Sequence, residues 1–294
     1  MSIVIGILEE GLIYAIMALG LYITYKILDF PDLSVDGTFP MGAAVTAALI
    51  LKGVHPALTL VLAFFAGAAA GCVTGLIHVK LKVRDLLSGI IVMTALYSVN
   101  LRIAGKANVP LFSRETIFDN GFLTEQMPEA LAPYSAILIL LAIVVLCKLC
   151  LDLFLKTRAG YLLRAAGDNE VLVTSLAKDK GAVKILGLAL ANGFVALAGA
   201  IYGQKTGYFE ISSGTGVMVM GLASVIIGTK LFQRISFVKA TTAVIFGTIL
   251  YKACIAAAIS MGMAPSDLKL ITAALFLIIL VVTGRKERKV KIHA

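Results

Sequence analysis

Seven runs of roughly twenty residues, each nearly free of charge, dominate this chain: 8–28, 56–79, 86–104, 133–154, 182–203, 237–259 and 267–283. About 20 apolar residues carry a helix across the hydrocarbon of a bilayer. No water reaches the backbone there, so each N–H and C=O must find its partner inside the segment, and the runs are predicted helices. A strand barrel is excluded, because no two-residue alternation appears and every run is too long. Two shorter runs, 38–52 and 214–230, flank stretches containing Gly and Pro. The prediction is an all-α polytopic transmembrane bundle of about nine spans, with a discontinuous short helix after the first span. The polar stretches 105–132 and 155–181 are both too short for a domain of their own, so residues 1–294 are read as one transmembrane domain.

Composition closes the soluble alternatives. The chain is 60% hydrophobic and 15% charged, against about 45–50% and 25% in soluble domains. A water-soluble globule of 294 residues cannot hide so much apolar side chain. The partner implied is the lipid bilayer. A net charge of +9 does not point to nucleic acid, because no basic stripe interleaves with aromatics. Basic residues instead retain cytoplasmic loops. With a cytoplasmic C-terminus, the inner side holds Lys26, the cluster Lys80, Lys82 and Arg84, all seven basic residues from Lys148 to Lys184, Lys230, Arg234, Lys239 and the basic tail. Only Lys52, Arg102, Lys106, Arg114, Lys205, Lys252 and Lys269 remain outside. The opposite orientation would export the excess. Glu9 and Glu10 stand where a signal peptide would be apolar, so the first run is expected to be retained. Cys72, Cys147, Cys150 and Cys254 all lie in apolar runs and read as small membrane-helix residues.

Small residues repeat every fourth position at Ala63, Gly67, Gly71 and Gly75, and again at Gly199 and Gly203. Such stripes let helix backbones approach closely, and the first is expected to leave a face for a second copy of the chain.

Polar residues concentrate in two places. In the segment 29–40, Asp29, Asp32 and Asp36 fall beside a membrane boundary, Gly37 gives backbone freedom, Thr38 can cap, and Pro40 suits the first turn of the short helix that follows. An irregular polar stretch leading into a half-length helix is how transport proteins line a pathway. Asp32, Ser34, Asp36 and Thr38 are the candidate pathway and gate residues; ordinary helix capping by Asp36 and pairing of Asp32 with Lys26 are the plainer alternatives. The second place is the loop 155–181. A short amphipathic helix over about 168–177, capped by Asp168 or Asn169, would present Leu172, Ser175 and Leu176 beside charged ends, either to a cytoplasmic partner or to the bilayer surface.

Four motifs then fall in a telling order. Ala15-Ile-Met-Ala-Leu-Gly-Leu21, Asp32-Leu-Ser-Val-Asp-Gly37, Arg164-Ala-Ala-Gly-Asp-Asn169 and Leu222-Ala-Ser-Val-Ile-Ile-Gly228 resemble elements of the permease subunits of bacterial ABC importers, of the branched-chain amino acid and ribose class. The resemblance runs from about residue 10 to 283. It implies a bacterial cell-membrane protein, a two-fold homodimer with the pathway on its axis, a cytoplasmic ATPase subunit and an extracytoplasmic solute-binding protein. It implies ATPase coupling through Arg164, Asp168, Asn169, Glu170, Leu172 and Leu176. The chain lacks the extra N-terminal helix of the sugar permeases, and Asp32 to Gly37 replaces an Asn-His-Gly-like element of the branched-chain type. It is most similar to the subgroup served by aromatic-amino-acid-type binding proteins.

The only Gly-Thr-Lys, at 228–230, lacks phosphate-loop spacing. ATP hydrolysis is therefore assigned to a separate subunit, and the chain to transport rather than catalysis, with no cofactor and no metal. Two rival functions fit the sequence less well. An ion-coupled secondary carrier would need carboxylates deep within spans, whereas Asp152, Lys148 and Lys252 are read toward span ends. A prenyl or phospholipid transferase could use Asp32 and Asp36 to hold Mg²⁺, but no second Asp cluster faces them.

Overall fold

A computed structural model describes residues 2–112, 114–119, 134–168, 180–233, 235, 237–261, 267, 270–274, 276–278 and 281. Helix α1 (Ser2–Leu21) widens into a π-helical turn at Tyr22–Ile27, and a linker leads to α2 (Val35–Leu51). Then come α3 (Pro56–Lys80), α4 (Asp85–Ala104), the short strand β1 (Asn108–Pro110), α5 (Ser135–Phe154) and α6 (Arg158–Asp168). The chain continues through α7 (Lys180–Thr206), β2 (Tyr208–Glu210), a 3₁₀ turn at Ile211–Gly214, α8 (Val217–Leu231) and α9 (Ala240–Ser260). Among the described residues, seven helical stretches are long and apolar enough to cross a membrane, with α2 as a shorter apolar helix beside them. The chain is thus an all-α, multi-pass membrane bundle. Of the predicted run 267–283, only a few residues belong to the described set.

Length separates the helices into two kinds. The 27 residues of α7 extend about 40 Å at 1.5 Å per residue, more than the roughly 30 Å of hydrocarbon. The 17 residues of α2 reach only about 25 Å and do not cross alone, whereas the 15 of α8, about 22 Å, reach crossing length only together with the turn before them, as the stretch Ile211–Leu231. One tiny ribbon joins distant loops: β1 pairs antiparallel with β2, Val109 opposite Phe209.

The start of α2 differs from its sequence expectation. The helix begins at Val35, not at residue 38, and Ser34 takes the N-cap position. Pro40 therefore lies inside the helix, where it has no N–H to offer the Asp36 carbonyl. Thr38 does not cap; its hydroxyl donates to the Ser34 carbonyl at 3.0 Å.

Close approach of backbones holds the centre together. The stripe on α3 faces α7 rather than a free surface, which corrects the expectation that it awaits a second copy. A Cβ on Gly67 would strike Asn192 and Ala196, one on Gly71 would strike Leu188, and one on Gly75 would strike Ile185. On α7 itself, Gly199 abuts the Phe39 backbone and Gly203 abuts Ala43, both of α2. Lipid tails are as apolar as Leu, so a bundle gains cohesion where small residues bring whole backbones into contact, and the stripe is spent there. Outward faces carry Val61, Phe65 and Leu76 on α3, Ile91 on α4, and Leu146 and Leu153 on α5, all exposed.

Several of the charges inside the described helices are paired. Lys205 Nζ meets Glu9 Oε1 at 2.8 Å and Lys252 Nζ meets Glu10 Oε2 at 2.9 Å, tying α1 to α7 and to α9. Lys252 lies well inside α9 rather than toward its end. Asp152 on α5 accepts from Lys148 at 2.9 Å, from Lys239 at 3.1 Å and from the Thr241 hydroxyl at 2.7 Å, which fixes the foot of α5 to the start of α9.

Candidate functional site at the interrupted helices

The linker between α1 and α2 crosses the interior of the bundle. Asp29 stands at its start, exposed, with φ of 51°. Phe30 turns inward and meets the His78 ring edge-on at 5.0 Å. Asp32 is fully buried. A buried carboxylate must be hydrogen-bonded or expelled. Here the Ser34 amide donates to its Oδ1 at 2.9 Å, and Asn192 Nδ2 donates to its Oδ2 at 2.7 Å. The Ser34 hydroxyl donates to Asn192 Oδ1 at 3.2 Å, closing a small polar ring between the linker and the middle of α7. Asn192 also donates to the Leu188 carbonyl of its own helix, at 3.1 Å.

Asp36 points elsewhere. Its two carboxylate oxygens accept from the backbone amides of Gly216 at 3.0 Å and Met218 at 2.8 Å. Those amides belong to the start of α8, whose first N–H groups have no partner within the helix. The carboxylate also opposes the positive end of the α8 dipole. Asp36 thus caps a helix, but not its own. Gly216 has φ of 83°, and Gly214 is pressed against the Asp36 carbonyl and the Pro40 ring. The first turns of α2 and α8 are therefore locked together inside the bundle.

Asp32 and Asp36 do not face one common point, since one is held by α7 and the other by α8. This geometry disfavours a shared Mg²⁺ between them. Asp32 is bound to Asn192 and not to Lys26. Asn100 Nδ2 on α4 donates to the Gly37 carbonyl at 3.0 Å, while its buried Oδ1 has no partner among the described residues.

Helix α6 lies against the beginning of this linker. Leu163 and Ala166 are buried, whereas Tyr161 and Arg164 are exposed, so the helix is amphipathic along its length. Gly167 is pressed on the Ile27 carbonyl, and Leu163 and Leu28 converge on Gly187 of α7. Of the residues read as coupling contacts, Arg164 is on the outer face of α6, and Asp168 is the helix's last residue. Asn169, Glu170, Leu172 and Leu176, with the helix expected over 168–177, lie outside the described residues.

Sequence reasoning missed Asn192, Gly216 and Met218. Asn192 offered a signal, a lone amide at the centre of an apolar helix rich in Gly and Ala. Backbone donors such as Gly216 and Met218 offer none.

Comparison with known proteins adds the following. The family described as "Branched-chain amino acid transport system / permease component" matches residues 3–282. The chain is 46% identical over 291 residues to the tyrosine transport system permease protein of Clostridioides difficile (strain R20291), covering 99% of this chain and 94% of that one. It is 32% identical over 291 residues to an uncharacterized protein of Rickettsia prowazekii (strain Madrid E), covering 98% and 100%. It is 25% identical over 223 residues to the ribose import permease protein of Escherichia coli (strain K12), covering 76% and 68%. No solved structure matches the chain.

Proposed function

The chain belongs to the permease-component family of branched-chain amino acid transport systems, and from that premise we propose that it forms the membrane pathway of an ATP-driven importer for an amino acid with an aromatic side chain. The solute class follows the tyrosine transport relative, 46% identical over nearly the whole chain. One observation carries the mechanism. Helix α6 is packed on Ile27 and Leu28, the residues that open the linker to Asp32 and Asp36. A push on the outer face of α6 therefore reaches the interrupted helices through rigid backbone contact rather than through a flexible loop.

In this reading α6 and the segment after it, residues 164–177, dock into a separate cytoplasmic ATPase. Arg164, Asp168, Asn169 and Glu170 register the partner, and Leu172 and Leu176 fill its groove. The C-terminus and α6 are cytoplasmic, as the Lys and Arg distribution supports. The β1–β2 ribbon then faces outward, where a solute-binding protein delivers the substrate. The whole chain acts as one transmembrane domain in the bacterial cell membrane. A second copy completes the pathway; the outward faces of α3, α4 and α5 are apolar and open to it and to lipid. Asp32, Ser34, Asp36 and Thr38 serve as the gate. The buried ring around Asp32 and the Asp36 cap hold the short helices closed, and their rearrangement opens the path.

The test is uptake of radiolabelled L-tyrosine into membrane vesicles, with and without a co-expressed ATPase and binding protein. Uptake that requires both ATP and the ATPase is the expected result. Uptake that follows an ion gradient in the absence of the ATPase would make the chain a secondary carrier and overturn the reading.

A further inference from the structure

A cavity of about 480 Å³ opens between α1, α8 and α9, lined by Glu10, Tyr14, Ser213, Gly216, Met220 and Lys252 among others. Its size falls within the roughly 300–1,000 Å³ of small-molecule sites. Lys252 is the unusual member. A cation inside an apolar helix is costly, and such residues mark pathways more often than structure. Its side chain is only 12% exposed, while that of its partner Glu10 is 58% exposed. The ammonium also lies 4.0 Å from the centre of the Tyr14 ring. The companion pair of Glu9 with Lys205 has no such asymmetry, with exposures of 15% and 28%, and neither residue lines this cavity. A second oddity shares the space: the Ser213 hydroxyl oxygen is buried without a hydrogen-bond partner among the described residues, and buried hydroxyls are seldom left so.

We infer that this cavity is a solute subsite for a zwitterionic amino acid with an apolar or aromatic side chain; the inference rests on the transport reading above. The ligand's ammonium pairs with Glu10, its carboxylate pairs with Lys252, and the Ser213 hydroxyl donates to the carboxylate. Insertion of a zwitterion between the two ions leaves every charge with a counter-charge. A cation would pair with Glu10 and leave the buried Lys252 charge over, at high cost, and an anion would leave Glu10 without a counter-charge. The ligand side chain lies against Met220 and Ile255. Behind Tyr14 the wall is aromatic, since its ring lies 5.8 Å from that of Phe39 and 6.0 Å from that of Tyr202. Gly216 both lines the cavity and donates its amide to Asp36, so occupancy acts directly on the lock between the short helices.

The experiment measures binding and uptake side by side. Saturation-transfer NMR on the detergent-purified full chain uses L-tyrosine as probe. Tyramine, which lacks the carboxylate, and hydroxyphenylpropionate, which lacks the ammonium, serve as competitors. L-Tyrosine is expected to bind, and neither competitor to displace it. Glu10→Gln and Lys252→Gln are each expected to weaken binding by roughly tenfold or more, the loss of one charge-assisted contact. The swap Glu10→Lys with Lys252→Glu separates recognition from a mere clamp between α1 and α9. It restores the ion pair and so should restore thermal stability, yet binding and uptake in vesicles with the ATPase should stay impaired. Unchanged binding in both single variants, no binding by the wild-type chain, or full recovery of uptake in the swap would overturn the subsite. Where wild-type uptake still requires ATP, those results leave the importer reading standing. Wild-type uptake indifferent to ATP overturns both.

Discussion

The carboxylate of Asp36 stands 3.0 Å from the backbone amide of Gly216, its hydrogen-bond donor across 180 residues of sequence. Asp36 is in the first turn of α2, and Gly216 is the N-cap of α8. The starts of two short helices thus share one carboxylate. Neither can slide along its axis without giving up bonds to the other, because the cap serves amides and not a side chain that could follow.

Replacement of Asp36 should separate cap from charge. Asp36→Ala leaves the amides of Gly216 and Met218 without acceptors inside the protein, and is expected to cost about 1–3 kcal/mol. Asp36→Asn keeps one acceptor and loses the other, so its cost should fall between wild type and alanine. Thermal unfolding followed by circular dichroism in mild detergent measures both. A loss in Asp36→Asn as large as in alanine would mean that the charge at the α8 dipole, and not the two bonds, is what matters.

The ring around Asp32 gives a sharper case. Asn192→Ala removes one donor from a fully buried carboxylate and is expected to destabilise by about 1–3 kcal/mol. Asn192→Asp is expected to be worse, since it sets two carboxylates at hydrogen-bond distance with no cation between them. The double exchange Asp32→Asn with Asn192→Asp restores one acceptor and one donor, and should recover much of the loss. Additive losses in the double variant would show that the two side chains act independently.

Much of this fold could be read from the chain, and the misses share a cause. Apolar run lengths located the long spans because hydrocarbon thickness acts on every residue of a helix. The two short runs at 38–52 and 214–230 revealed α2 and α8 for the same reason. The order of four motifs placed the chain in its permease class. What failed was direction and partner. The stripe at Ala63 to Gly75 announces close packing but carries no address, and it met α7. Asp36 suggested a cap, and local rules assign a cap to its own helix; the helix served begins at Val217. The π turn at Tyr22–Ile27 and the three-residue ribbon carry no local signature: Asn108–Pro110 lies within the stretch read as a polar loop, and its pairing with Tyr208–Glu210 joins residues about a hundred positions apart.

Close backbone contact makes a prediction at a single methyl. A Cβ on Gly42 of α2 would collide with the backbone of Ala196 on α7, whereas one on Gly6 of α1 would meet nothing within 4 Å. Gly42→Ala is expected to cost about 1–3 kcal/mol through forced separation of the two helices. Gly6→Ala should be neutral or slightly stabilising, as alanine is the better helix former. Melting in mild detergent compares them directly. Equal stability of the two variants would mean that α2 and α7 are not in backbone contact.

The outer face of α6 provides the test of coupling. Arg164 is exposed on it, while the opposite face is buried through Leu163 and Ala166 and pressed on Ile27 through Gly167. A substitution of Arg164 should therefore leave the bundle intact, because its side chain is exposed to solvent. Surface charges contribute little to folding, but they register a partner and set its rate of association. Arg164→Glu combined with Asp168→Lys reverses two charges while keeping their sum. The double variant is expected to melt like wild type and to lose co-purification with the ATPase, together with ATP-driven uptake. Gly167→Leu serves as the opposite control. It attacks the inner face, so it should disturb the linker and lower stability before any question of docking arises. Normal ATPase association and uptake in the charge-reversed protein would remove α6 from the coupling surface, whatever its contact with Ile27.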